Sequence, residues 1–167
     1  NRISVQALYQ MRSAVQRLAI KLPAAAEFDT DPLRISGQPT ALEHGEDDAF
    51  FIPLVDHAAE EPFLVELRYT VPGDQTRLDF PVFPEQAPVQ SEPAMQKVHL
   101  AIYLPDEMAL VATQGPWTNQ QDDWYRRLNA WPGSKDESLL LDWVSEGISV
   151  ANDEFRNFPT DGRLYAF

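Results

Sequence analysis

The sequence predicts a mainly β protein: an antiparallel β-sandwich in two related halves or modules, with a C-terminal pair of helices packed on one flank. The first indication is a repeated stretch, QRLAIKLP at residues 16–23 and VHLAIYLP at residues 98–105, in which five of eight positions match. The second is the alternation of apolar and polar residues, which is typical of strands with one buried face. The third is the presence of 14 prolines, since proline favours turns and sheet edges.

Alternation of this kind defines the strands of the first half. They are predicted at residues 3–11, 16–22, 33–35, 49–55 and 63–71. The stretch 33–35 leads into a turn at Gly37. Residues 49–55 and 63–71 are expected to pair with each other, because the segment between them is too short for a crossover helix.

A proline-rich segment at residues 75–97 separates the two halves. We interpret it as a connecting loop with an edge strand near Leu78, Phe80 and Val82; the alternative is a polyproline ligand for a partner. The predicted modules are therefore residues 1–74 and residues 75–167, and they are small enough to be expected to share an interface.

Helical spacing appears after the repeated strand of the second half. Residues 121–131 place tryptophan, tyrosine and leucine on one side of a first helix. Ser134 and Glu137 form a capping box that opens a second helix. Its inward side is predicted to consist of Leu140, Trp143, Val144 and Ile148. The tryptophans Trp124, Trp131 and Trp143 are expected to fix the two helices to the sheet.

Composition argues against several kinds of partner. The formal net charge is −13, from 26 acidic and 13 basic residues. Such a surface repels phosphate backbones and anionic lipid, so nucleic acid is not an expected partner. No apolar run approaches the roughly 20 residues that a membrane span needs, so no membrane insertion is expected within this segment. The absence of cysteine rules out disulfides and thiolate chemistry and fits an oxidising compartment. Because the chain begins at Asn1, we interpret it as a segment excised from a longer chain.

Two candidate ligand sites follow from residue type. Asp29 and Asp31 precede a proline in a loop of the kind that supplies oxygen ligands to calcium, the one cofactor considered. Trp117 lies beside a Gly-Pro turn and is the candidate surface platform for stacking against a sugar. A hydrolase would need two facing carboxylates, and Asp47 and Glu61 are the candidates for that role.

The three histidines are interpreted as ordinary surface residues. His44 and His57 lie in acidic loops and match no metal-ligand spacing, although a metal site drawing on both is the alternative. His99 shares a strand face with Ala101 and Tyr103 opposite the presumed core, so it is expected to be exposed or at an edge.

The strand order resembles that of a bacterial family. Residues 17–23, 35–39, 51–54 and 63–71 follow the pattern of a strand ending in Leu-Pro, a strand with a Gly-x-Pro turn, and a strand reading FLVELRYTV. This pattern resembles the β-sandwich segments of large bacterial envelope proteins, and it is loosely similar to the all-β N-terminal domain of zinc aminopeptidases. The likeness covers residues 1–73 and, less closely, 98–118. The chain lacks His-Glu-x-x-His, so nothing catalytic is carried over from the aminopeptidases. What the resemblance implies is a non-catalytic module of a longer extracytoplasmic protein, periplasmic or in the cell envelope.

The expected function is a non-enzymatic structural or interaction module that contacts other domains of its parent chain or another protein. A carbohydrate- or calcium-binding module and an acid-residue hydrolase are the alternatives. The chain carries no nucleophile elbow, phosphate loop or dinucleotide fingerprint, so the well-marked enzyme classes are not indicated.

Overall fold

The computed structural model describes residues 2–13, 15–28, 30–45, 49–54, 61–74, 78–84, 94–110, 137–150 and 163–166. These residues form a mainly β fold, as predicted, with two antiparallel sheets and one short helix. The strands are β1 (Arg2–Arg12), β2 (Arg17–Lys21), β3 (Leu33–Ile35), β4 (Gln38–Thr40), β5 (Glu43–His44), β6 (Ala49–Pro53), β7 (Phe63–Pro72), β8 (Ala94–Leu104) and β9 (Arg163–Ala166). The helix is α1 (Glu137–Val144).

The two sheets differ in size and position. The larger sheet has six strands in the order β4-β3-β7-β1-β8-β9, and the smaller has three in the order β2-β6-β5. The long strand β1 pairs antiparallel with β7 on one side and with β8 on the other. It is therefore the central strand of the longest ladders.

One hydrophobic core joins the two sheets and gives the sandwich arrangement. Strand alternation sends the odd-numbered residues of β1 and β7 to the face that meets the smaller sheet. From the smaller sheet, Leu18 and Ile20 of β2 and Ile52 of β6 enter the same core. Fully buried side chains of this core include Ile3, Met11, Leu18, Ile20, Leu33, Ile52, Phe63, Leu67 and Leu100.

The turn predicted at Gly37 is a two-residue hairpin between β3 and β4. Ser36 and Gly37 both have positive φ, 46° and 85°. Two positive values in succession are the signature of a type I′ turn, whose twist matches that of the flanking strands. The amide of Ser36 also donates to the carbonyl of Leu64 at 2.7 Å, which ties the hairpin to β7.

The repeated stretches are both strands, each with leucine and isoleucine inward and a proline after its end. Their settings nevertheless differ: β2 is an edge strand of the smaller sheet, whereas β8 lies inside the larger one. Hydrogen bonding between β1 and β8 also joins residues on both sides of the predicted boundary at residues 74 and 75. The division into modules 1–74 and 75–167 stays a prediction.

One predicted strand pairing is wrong. The strands β6 and β7 were expected to pair with each other, but β6 pairs with β2 and β5 while β7 pairs with β1 and β3. The strands β6 and β7 thus belong to different sheets. A connection of this length excludes a crossover helix, but it does not choose between pairing within a sheet and crossing between sheets.

Only part of the predicted helical pair falls on described residues. The second helix is present as α1, and the first, at residues 121–131, lies outside the described residues. Gly147, with φ of 79°, follows the end of α1 and adopts the left-handed conformation that commonly stops a helix. In the part of the chain that the structure describes, no helix has the length and apolar character needed to cross a bilayer.

Tyr69 supplies a test of core packing. Its side chain lies in the core, and its hydroxyl is buried without a hydrogen-bond partner among the described residues. Burial, and secondarily the charge of Tyr9, raises the pKa of Tyr69 well above its ordinary value. Because an unpaired buried hydroxyl costs free energy, we expect Tyr69→Phe to leave the free energy of unfolding unchanged or to raise it by about 1 kcal/mol. Urea unfolding measures this, and a clear loss of stability would show that the hydroxyl has a partner.

Candidate functional site

The outer face of the six-stranded sheet carries polar side chains that are nevertheless buried. This face lies opposite the sandwich core and receives the even-numbered residues of β1 and β7 and the odd-numbered residues of the main part of β8. Its buried polar residues are Gln6, Gln10, Glu66 and His99. We call these four residues the polar layer. Buried polar groups cost free energy unless they are hydrogen-bonded, so their partners determine what the layer does.

Glu66 is the charged centre of the polar layer. It is 2% exposed, and its Oε1 accepts hydrogen bonds from Nε2 of Gln6 and Nε of Arg68, both at 2.7 Å. Arg68 lies two residues along β7 and directly opposite Gln6, so the sheet register brings all three groups together. The Oε2 of Glu66 is buried and has no hydrogen-bond partner among the described residues. The guanidinium compensates the buried carboxylate, and the hydrogen bond from Gln6 links β1 to β7.

The expectation that His99 is exposed is wrong: the residue is 0% exposed. Alternation was predicted correctly, because His99 does lie on the face opposite the sandwich core. It faces Leu8 across the ladder between β1 and β8, and α1 packs on these two strands. The second face of the sheet is thus also covered, which period-two alternation alone does not reveal.

Helix α1 is held on this face by apolar contacts and by hydrogen bonds at its C-terminal end. Leu141 and Val144 pack against Leu8 and Leu64 in a small second core. The carbonyls of the last helical turn have no partners within a helix, so they need external donors. Nζ of Lys97 donates to the carbonyl of Trp143 at 2.7 Å, which also places a positive charge at the negative end of the helix dipole.

Gln10 provides the second anchor at this end. Its Nε2 donates to the carbonyl of Glu146 at 2.8 Å. Gln10 and Lys97 lie directly opposite each other on β1 and β8, so one cross-strand pair supplies both donors. The helix itself has no basic residue in its last turn. The sheet therefore supplies the donors for this end of α1 and holds the helix in one rotation.

The rotation of α1 directs apolar and acidic side chains to solvent. Leu139 is 65% exposed and Trp143 is 47% exposed, and they lie one turn apart. Asp142 and Glu146 are exposed on the same side. We call these four residues the outward face. The prediction that Trp143 fixes the helix to the sheet is wrong, because the inward stripe is formed by Leu141, Val144 and Ile148.

Lys97 also bonds to the outward face. Its Nζ lies 2.8 Å from Oε2 of Glu146 and 5.2 Å from the centroid of the Trp143 ring. The hydrogen bond from Lys97, followed by its positive charge, lowers the pKa of the Glu146 carboxyl. The ammonium thus orients the indole through a cation–π contact while remaining bonded to the helix end.

The residues singled out from the sequence do not come together in the described part of the chain. Asp31 is exposed in a turn with φ of 57°, and Asp29 lies outside the described residues, as do Trp117 and Asp47. Glu61 is exposed. Among the described residues, no three histidine, aspartate or glutamate side chains are grouped as metal ligands. The calcium, sugar and hydrolase alternatives stay predictions.

Two histidines remain from the sequence analysis. His44 is exposed, as expected, but it lies in strand β5 and not in a loop. Its ring packs edge-on against Phe50 with 4.9 Å between centroids. Its Nδ1 lies 2.8 Å from the carbonyl oxygen of Gly45. His57 lies outside the described residues. The contacts of His44 are therefore local to its own hairpin.

Comparison with known proteins finds no match for this chain, whether among family models, curated proteins or solved structures. The resemblance to envelope-protein segments and to the aminopeptidase domain stays a prediction. The function of the chain has to be argued from its own residues.

Proposed function

We propose that this chain is a non-enzymatic interaction module of a larger extracytoplasmic protein, and that the outward face of α1 is its contact surface. The observation that carries the proposal is the exposure of Leu139 and Trp143 on a helix whose position is fixed by the sheet. Large apolar side chains that are adjacent, exposed and rigidly held mark protein contact sites more often than isolated surface leucines do.

The contacts of the ionisable side chains support a structural role for this chain. Glu66 is bonded to Gln6 and Arg68, and Lys97 is bonded to Glu146 and to the end of α1. The first set of contacts links β1 to β7 within the sheet, and the second attaches the end of α1 to β8. The partner is another domain of the parent chain or a separate protein.

A double variant tests whether the apolar side chains of the outward face contribute to the stability of the fold. We expect Leu139→Ser combined with Trp143→Ser to change the free energy of unfolding by no more than about 1 kcal/mol, because exposed side chains contribute little to stability. The matched control is Leu141→Ala in the same helix, which should cost about 2–4 kcal/mol because its side chain is buried. Urea unfolding compares the two. An equal loss in both would mean that the outward face belongs to the fold.

Photo-cross-linking tests the contact itself. A photoreactive amino acid is placed at position 139 of the parent protein in its producing cell, and the control position is Val82, which is also exposed. We expect position 139 to give a discrete adduct whose partner peptide is identified by mass spectrometry. Absence of an adduct, or the same adducts from position 82, would contradict the proposed contact surface.

A further inference from the structure

The chemistry of the outward face identifies the kind of partner that fits it. Leu139 and Trp143 are four residues apart, as are Asp142 and Glu146, and Glu146 lies two residues after the end of α1. At helical spacing the apolar and acidic pairs lie side by side over about two turns, from Leu139 to Glu146. We infer that the partner is a basic amphipathic segment, an inference that rests on the proposed function. Its apolar side chains contact Leu139 and Trp143, and its lysine or arginine side chains lie beside them.

The sign of the charge comes from the residues around Trp143. Two exposed carboxylates, those of Asp142 and Glu146, lie within one turn of it. The ammonium of Lys97 pairs with Glu146 and bonds to the carbonyl of Trp143, so among these described groups carboxylates outnumber ammonium groups by two to one. The whole chain has a net charge of −13. An acidic partner, or a second copy of this chain, would be repelled, whereas a basic segment gains both in affinity and in association rate.

The apolar pair determines the shape of the partner. Tryptophan is one of the residue types that most often dominate the energetics of an interface. Lys97 holds the indole of Trp143 in place. A rigid aromatic side chain loses little conformational freedom when a partner binds. The helical repeat of Leu139 and Trp143 is complemented by a second helix that presents its own apolar residues at intervals of three and four.

Two synthetic peptides test the inference with the whole chain. Both have about 18 residues, or five helical turns, with leucine at positions three and four apart. The remaining positions are lysine in one peptide and glutamate in the other. Binding is followed by nuclear magnetic resonance of the Trp143 indole and the Leu139 amide at about 0.15 M salt, which screens long-range attraction.

Variants separate the outward face from the rest of the surface. We expect the lysine peptide to bind, and Leu139→Ser with Trp143→Ser to weaken it at least tenfold. The matched control is Val82→Ser with Met95→Ser, which removes two exposed apolar side chains elsewhere and should leave the affinity unchanged. The glutamate peptide should not bind.

Each other outcome overturns the inference in a different way. If both peptides bind through the outward face, the basic partner is wrong while the proposed contact surface stands. If the lysine peptide binds all variants equally, its attraction is to net charge and not to this face. If neither peptide binds while position 139 still cross-links, the inference fails and the proposed function does not.

Discussion

Replacing Glu66 with alanine should lower the free energy of unfolding by about 3–5 kcal/mol. The substitution removes the acceptor shared by Gln6 and Arg68, both of which are bonded to Oε1 at 2.7 Å. The Arg68 side chain is only 17% exposed, so its guanidinium would keep its charge with little access to water. The loss therefore comes from the two hydrogen bonds removed and from the lost compensation that Glu66 gives to the Arg68 charge. Urea unfolding gives the midpoint and the slope, and the slope should stay unchanged.

The matched control is Glu43→Ala. Glu43 forms a salt bridge with Arg17 at the same 2.7 Å separation, but both side chains are about half exposed. Exposed pairs contribute little, so this variant should lose less than about 1 kcal/mol. Similar losses in the two variants would mean that Glu66 is not held in a buried pair, and the description of the polar layer would be wrong.

Replacing Leu8 with alanine should cost about 2–5 kcal/mol and should also loosen helix α1. Leu8 is fully buried and contacts Leu64, Leu141 and Val144 in the second core. It also lies between Glu66 and His99 in the sheet register. A cavity at this position removes the apolar contacts that hold the helix but leaves the hydrogen bonds from Gln10 and Lys97 in place.

Hydrogen exchange distinguishes loosening of the helix from general destabilisation. We expect the amides of α1 to lose more protection in Leu8→Ala than those of β2, which lies in the other sheet. A matched control is Leu139→Ala, which shortens an exposed leucine of the same helix and should alter neither quantity appreciably. Equal loss of protection in both regions would contradict a separate second core beneath α1.

The strands could be predicted from the sequence because their alternation is regular. In β1, the side chains of Ile3, Val5 and Met11 point to the sandwich core as expected. Leu8 is an apolar residue on the other face of the strand, and it lies in the second core. The hairpin at Gly37 was likewise indicated by local residues alone. Such features depend on neighbours in sequence, which is why they are accessible without a structure.

The candidate site could not be predicted because it depends on contacts between distant residues. His99 has the alternation of an outward strand residue, but it is fully buried on a face of the sheet against which α1 packs. The three consecutive leucines at residues 139–141 leave the rotation of the helix open. Gln10 and Lys97, far away in sequence, fix that rotation and turn Trp143 outward. From the sequence, Glu66 could be recognised only as a residue on the face opposite the apolar residues of its strand, and its burial could not be foreseen.

Oxidation by hydroxyl radicals tests the central claim, that α1 is packed by Leu141 and Val144 and presents Leu139 and Trp143 to solvent. The rates of modification are measured by mass spectrometry on the folded chain without a partner. We predict rapid oxidation of Trp143 and protection of Tyr69, which is buried in the sandwich core. If Trp143 is protected as strongly as Tyr69, the helix is rotated or covered, and the outward face does not exist.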